Sequence, residues 1–209
     1  MLRELRCRIK QGIPQRNDEP TTGRLGQHAP LNHSAPQQYF QHPKDQQIIA
    51  GADVAICAYK DEWIIIGITN QGGVAAGYKS IQECIQEQQY TLELFPKLRE
   101  IYFCPDFEGR KCFRVTRHNV HNHSKTKWSG HYRKPGAGML KLATVRHEHT
   151  PDNTRYLGDR PEDEAAARRA GVQFQWAANW IEQHQAGKRL STCRCTVTRS
   201  QTWSEKSQI

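Results

Sequence analysis

Hydrophobic positions along the chain fall into two regimes. Up to about Gln38 the residues are mostly Pro, Gly, Gln, Asn and Arg with no sustained apolar period, which predicts loop or irregular chain. One stretch departs from this: Leu5, Cys7 and Ile9 alternate with Arg6, Arg8 and Lys10, a pattern suited to a half-exposed strand. After Phe40 the pattern becomes regular. Ala52 to Lys60 predicts a helix, and Trp63 to Ile68 is a β-branched run of the kind that fills a parallel sheet covered on both faces. A Gly-rich turn from Asn70 to Gly77 comes next. Ser80 with Glu83 forms a capping box, behind which Ile81, Cys84, Ile85, Gln88, Leu92 and Phe95 recur at helical spacing.

Glu100 to Phe103 predicts a short strand, and residues 105–131 an irregular insert with little apolar content. Gly138 to about His147 is helical in pattern, and Thr154 to Gly158 predicts a strand ending on Asp159. Pro161 to Ala170 has proline in its first turn, acids early, bases late and Gly171 as its stop. Val172 to Gln175 returns to the sheet and Trp176 to Gln185 closes with a helix. This alternation predicts a single α/β domain with a doubly wound parallel sheet, a Rossmann-like arrangement with its working residues at the carboxyl ends of the strands. The division that follows is an irregular segment at 1–39, a body at 40–187 and a tail at 188–209.

Composition narrows the picture in three ways. A chain of 209 residues can bury one sizeable core. No run approaches the roughly 20 apolar residues of a membrane span, and the first ten residues are too charged for a signal-peptide core, so a soluble, cytoplasmic protein is expected. The formal charge of +9 resides mainly in the tails, with +3 in residues 1–42 and +4 in residues 188–209. Those tails, including Cys193-Arg-Cys195, could meet nucleic acid non-specifically, yet they lack interleaved aromatics and read more simply as solvated. Seven cysteines without a secretory signal argue for reduced thiols or a metal site, with Cys57 and Cys84 as packing residues.

Three segments carry candidate chemistry. Ile66 to Gly73 ends an apolar strand in Thr69-Asn70-Gln71, where a hydroxyl and backbone N–H groups can meet an anion; taken alone it is also an ordinary Gly-rich turn. Tyr132 to Met139 sets Lys134 before a proline and a helix start, where its ammonium can act as a point charge on phosphate or simply be solvated. Leu157 to Asp163 sets Asp159 and Asp163 four residues apart, able to share a hard cation such as Mg²⁺. They can equally cap a helix and complement its dipole.

In this order, the three segments resemble the haloacid dehalogenase superfamily, in the small-cap branch that includes histidinol-phosphate, heptose-bisphosphate and polynucleotide 3′-phosphatases. The resemblance spans about residues 40–181. It implies a Mg²⁺-dependent phosphate-monoester hydrolase in which Thr69, Asn70, Gln71 and Lys134 bind the phosphoryl group, and Asp159 and Asp163 hold the metal. The implied partner is a phosphorylated small molecule or a nucleic-acid 3′-phosphate end, with no membrane involved. The family's first motif, Asp-x-Asp-Gly-Thr, supplies the nucleophile, and nothing before residue 50 matches it. The N-terminal segment reads as a diverged or frame-shifted replacement. The expected consequences are a hydrolase impaired or inactive, or a non-catalytic phosphate- or nucleic-acid-binding relative, and a sheet missing an interior strand unless Leu5 to Ile9 or Cys193 to Val197 fills the gap.

A structural zinc is a further expectation. Cys104, Cys112, His118, His121, His123 and His131 offer enough N and S ligands for a tetrahedral site. Related phosphatases carry a zinc loop before the lysine motif, and Cys104 matches its first ligand. Asp106 stands where that loop has histidine, and the spacing is irregular.

Overall fold

The computed structural model describes residues 2–5, 46, 48, 52–57 and 63–186. Seven strands form one sheet in the order β5-β4-β3-β2-β1-β6-β7. The parallel members are β1 (Leu2–Leu5), β2 (Ile64–Asn70), β3 (Leu98–Cys104), β6 (Thr154–Gly158) and β7 (Gln173–Trp176). Helices α1 (Ala52–Cys57), α2 (Gly72–Ala75), α3 (Ile81–Leu94), α4 (Gly138–Arg146), α5 (Pro161–Ala170) and α6 (Ala177–Ala186) connect them.

Alternation along the strands sorts the core into two layers. Ile66, Ile68, Tyr102, Cys104 and Tyr156 pack on Met139, Leu140, Leu142 and Ala143 of α4 and on Ala166, Ala167 and Ala170 of α5. On the other face Ile65, Leu98, Ile101, Phe103 and Leu157 meet Ala55 and Ile56 of α1, Cys84, Ile85 and Leu92 of α3, and Trp180 of α6. The Ile-rich run thus fills a strand covered on both sides, as its sequence predicts. Between β2 and β3 the fit is tight: a Cβ on Gly67 would lie 2.9 Å from Ile101 Cγ1.

Local signals explain the helix ends. The Ser80 hydroxyl accepts the Glu83 N–H at 3.1 Å while the Glu83 carboxylate accepts the Ser80 N–H at 2.7 Å, the reciprocal pairing expected at the start of α3. Gly171 closes α5 at φ 75°, a left-handed conformation that glycine adopts without a Cβ clash.

Four expectations change. The middle of the sheet is filled: β1 pairs in parallel with both β2 and β6, Leu2 opposite Ile64 and Leu5 opposite Leu157. The interior strand is therefore present at Leu2–Leu5, while Arg6 to Ile9 and Cys193 to Val197 lie outside the described residues. Second, the insert at 105–131 is not wholly irregular. It contains β4 (Phe113–Val115) and β5 (Val120–Asn122), an antiparallel hairpin that extends the sheet beyond β3. Strands of three residues are too short to register as a period, and here Phe113 stacks on Phe103 at 5.2 Å while Val115 is buried. Third, the Gly-rich turn contains the short α2, whose first residues are Gly72 and Gly73. Fourth, Cys57 is disulfide-bonded rather than reduced, whereas Cys84, Cys104 and Cys112 are free thiols.

The hairpin also explains a buried charge on β3. Glu100 accepts Tyr102 OH at 2.7 Å and His147 Nε2 at 2.8 Å on one carboxylate oxygen, and Arg114 Nη1 at 2.7 Å on the other. Burial alone would raise its pKa. The bonds from His147, Tyr102 and Arg114 outweigh it and hold the carboxyl down at about 2. A depressed carboxyl stabilises the fold above its unfolded pKa, and that contribution is lost as pH falls from 4.5 toward 2. We expect denaturant-measured stability to drop across this window by up to about 3 kcal/mol through Glu100, with Glu100→Gln removing that part of the slope. An unchanged slope in the variant would show that other carboxyls govern acid unfolding.

Candidate functional site

The carboxyl ends of β2, β3 and β6 open on one edge of the sheet. Thr69 and Asn70 stand at the end of β2, Cys104 at the end of β3, and Asp159 just after β6. A bond from the Gln71 N–H to the Cys104 carbonyl, 2.8 Å, ties the first two ends together. Thr69, Asn70 and Gln71 are half-buried here, and the Thr69 hydroxyl accepts Gln71 Nε2 at 3.3 Å.

Asn70 fixes the lysine loop. Its Nδ2 donates to the Lys134 carbonyl and its Oδ1 accepts the Lys134 N–H, both at 2.9 Å, so one side chain pairs with a backbone 64 residues away. The loop is then folded so closely that a Cβ on Gly136 would lie 2.3 Å from the His131 carbonyl oxygen, which only glycine permits.

From this loop the Lys134 side chain runs inward and is almost wholly buried. Its Nζ donates to Asp163 Oδ1 at 2.5 Å and to Tyr156 OH at 3.0 Å, and lies 3.5 Å from the Ile68 carbonyl. Tyr156 in turn donates to the same Asp163 oxygen at 2.9 Å. The other oxygen, Oδ2, accepts the N–H groups of Asp159 at 3.1 Å and Arg160 at 3.2 Å, at the start of α5. Asp163 is fully buried, and helix α5 approaches β6 so closely that a Cβ on Gly158 would fall 2.3 Å from Asp163 Cβ. Each fixed member of Gly-Asp-x-x-x-Asp thus has a local cause: glycine permits the approach, and the second aspartate caps the helix while facing the lysine.

Asn70, Lys134 and Asp163 are therefore joined directly, with Thr69 and Asp159 at the rim beside them. Asp159 is half-buried in the loop between β6 and α5. Two participants were not read from the sequence. Tyr156 lies two residues before Gly158 on the same strand face, so alternation could have pointed to it. Arg133 offered no such signal: its guanidinium lies over the Phe107 ring at 4.9 Å and donates to the Asp106 carbonyl at 3.3 Å, beside the start of α2.

The zinc expectation finds no support. Among the described residues no three His, Cys, Asp or Glu side chains gather as a metal site. His118, His121 and His131 are exposed, and His123 is half-buried. Cys104 donates its thiol to Asp106 Oδ1 at 3.1 Å, and burial, followed by that bond, pushes its pKa up to about 12. Burial likewise raises Cys112. Both thiols are protonated in the metal-free protein, and Cys104 is engaged by Asp106 rather than by a histidine. Asp106 organises the loop instead, accepting the N–H groups of Arg110 and Lys111 at 2.9 and 3.1 Å.

Removing one member of a buried ion pair leaves an uncompensated charge, commonly at a cost of about 3 to 5 kcal/mol. Asp163→Asn should lower unfolding free energy by that order in urea titrations. Adding Lys134→Met should recover most of the loss, because asparagine can still accept the backbone N–H groups. Two losses that simply add would mean the pair is not coupled.

Among curated proteins, the chain is 31% identical over 144 residues to D-glycero-beta-D-manno-heptose-1,7-bisphosphate 7-phosphatase of Haemophilus ducreyi, covering 64% of this chain and 70% of that protein. It is 30% identical over 139 residues to the D-glycero-D-manno-heptose-1,7-bisphosphate 7-phosphatase of Thermosynechococcus vestitus, covering 64% and 67%. A Campylobacter jejuni 7-phosphatase is 28% identical, with 60% of its length covered. No family model matches. Among solved structures, a D,D-heptose 1,7-bisphosphate phosphatase from B. bronchiseptica, complexed with magnesium and phosphate, superposes with TM-score 0.52 at 18% identity over 72% of this chain and 79% of that one. A HAD-like phosphatase from Mesorhizobium loti gives 0.50 at 18% identity over 69% and 75%. Sequence relatives, sheet order and the placement of the lysine and aspartate motifs agree: the chain belongs to the haloacid dehalogenase superfamily of phosphatases.

Proposed function

We propose that this chain is a phosphomonoester-binding hydrolase scaffold with impaired turnover, its ligand a phosphorylated small molecule of the sugar-phosphate class. The observation that carries the reading is the buried lysine held by Asn70, Tyr156 and Asp163. A desolvated ion pair contributes little net stability compared with apolar packing, so its retention at the strand ends points to a ligand. In this reading Thr69 donates its hydroxyl to the phosphoryl group, Lys134 sets positive charge behind it, and Asn70 and Asp163 position the lysine.

Magnesium fits the donor set in a minimal form. This cation commonly takes one or two carboxylates and keeps its remaining positions for water and phosphate. Asp159, half-buried at the rim, would hold it together with Asp163, which the Asp159 and Arg160 N–H groups fix at the start of α5. Bound there, the ion would neutralise charge on the phosphoryl oxygens. The phosphatase relatives and the magnesium and phosphate in the B. bronchiseptica enzyme support this assignment.

Impaired turnover follows from the residues after β1. The family resemblance calls for Asp-x-Asp at the end of this central strand, and the sequence there reads Arg6-Cys7-Arg8. A guanidinium can neither attack phosphorus nor accept the proton of an attacking water. With p-nitrophenyl phosphate and Mg²⁺, hydrolysis should stay near the buffer rate and be the same in an Asp159→Asn variant. Turnover of about 1 s⁻¹ or more, within the ordinary enzyme range and abolished by Asp159→Asn, would overturn the impairment and leave an active hydrolase.

A further inference from the structure

On the opposite edge of the sheet from the phosphoryl site lies a recess of 380 Å³ lined by Arg99, Glu100, Arg114, Thr116, Arg146 and His147. Arg99 and Glu100 stand near the amino end of β3, Thr116 just past β4, and Arg146 and His147 at the last turn of α4. The catalytic loops leave the carboxyl ends of the same parallel strands, so this recess is not part of the site described above.

Its charge balance is unusual. Glu100, the one acid in the lining, is already satisfied on both oxygens by Arg114, Tyr102 and His147. Among the described residues the exposed Arg99 and Arg146 make no side-chain hydrogen bond or ion pair. Arg114 is more than nine-tenths buried, and its Nε has no hydrogen-bond partner. Three guanidinium groups thus surround one compensated carboxylate. The carbonyl end of α4 contributes only about half a negative charge, which does not cancel the excess. Guanidinium groups pair with phosphate and carboxylate oxygens in a two-point fork, and the volume lies within the roughly 300 to 1,000 Å³ of small-molecule sites.

We propose that this recess is a second anion site, taking a small molecule that bears two or more phosphate or carboxylate groups, with Arg99 and Arg146 as its clamps and Arg114 as its fixed floor. A recess ringed by hydrogen-bond donors selects a compact polyanion over an apolar ligand. Helix α4 begins four residues after Lys134 and ends on Arg146, so the same element joins the two sites.

Pyrophosphate is the probe, titrated calorimetrically in EDTA at low salt. Wild type and Thr69→Ala should bind it with affinities within about twofold, because the phosphoryl site is not involved. Arg146→Glu or Arg99→Glu should weaken binding by about tenfold or more, the loss expected for charge-assisted hydrogen bonds. Lys141→Glu, an exposed α4 change outside the recess lining, should have little effect. Thermal melting of each variant checks folding. The proposal is overturned if pyrophosphate does not bind, if Thr69→Ala removes binding, or if all three charge reversals weaken it equally.

Discussion

The buried contact between Lys134 and Asp163 organises the working edge of this protein. It joins a loop between β5 and α4 to the first turn of α5 and runs beneath the end of β2, where the ammonium also meets the Ile68 carbonyl. Tyr156 closes a triangle with both charges. Such an arrangement costs desolvation free energy on each ion, and that cost is offset only when every lone pair and proton is used. The surroundings meet this condition: backbone N–H groups take the second carboxylate oxygen, and Asn70 pins the lysine backbone. Glycine at 158 and 136 lets the segments approach closely enough. The phosphate-binding reading and the helix-capping reading of the acidic motif therefore describe one structure, because capping α5 is what aims Asp163 at the lysine.

The central strand is where the proposed impairment arises. Backbone pairing along β1 completes the sheet between β2 and β6, and pairing requires no particular side chain. Chemistry does require one. In the proposed reading, the strand keeps its structural role while Arg6-Cys7-Arg8 stands where the family resemblance calls for carboxylates, which would separate fold from catalysis.

How far the sequence revealed this depended on the signal each element carries. The Ile-rich β2, the capping box at Ser80 and the Pro-to-Gly span of α5 have strong local causes, and all three appear where expected. Thr69, Asp159 and Asp163 stood out in the sequence because they lie at a strand or helix end, and Lys134 because it precedes a proline ahead of a helix. Less legible were features made by contacts across the chain. Leu2 to Leu5 is a strand because of its neighbours, and β4 and β5 are too short to show a period. The pairing of Asn70 with Lys134 spans 64 residues. Cys104 resembled a zinc ligand by position, whereas its thiol donates to Asp106 and, among the described residues, no three ligating side chains gather around it. Exposure of His118, His121 and His131 was likewise invisible in spacing alone.

The central claim is that the Lys134–Asp163 pair serves an anion site rather than the stability of the fold. It is tested most directly by the magnesium-dependent component of inorganic-phosphate binding, measured by calorimetry on wild type and on the Lys134→Met/Asp163→Asn variant. The expected result is magnesium-dependent binding in wild type and its loss in a variant that remains folded by circular dichroism. Retention of that component in the folded variant, or its absence from wild type, would contradict the account.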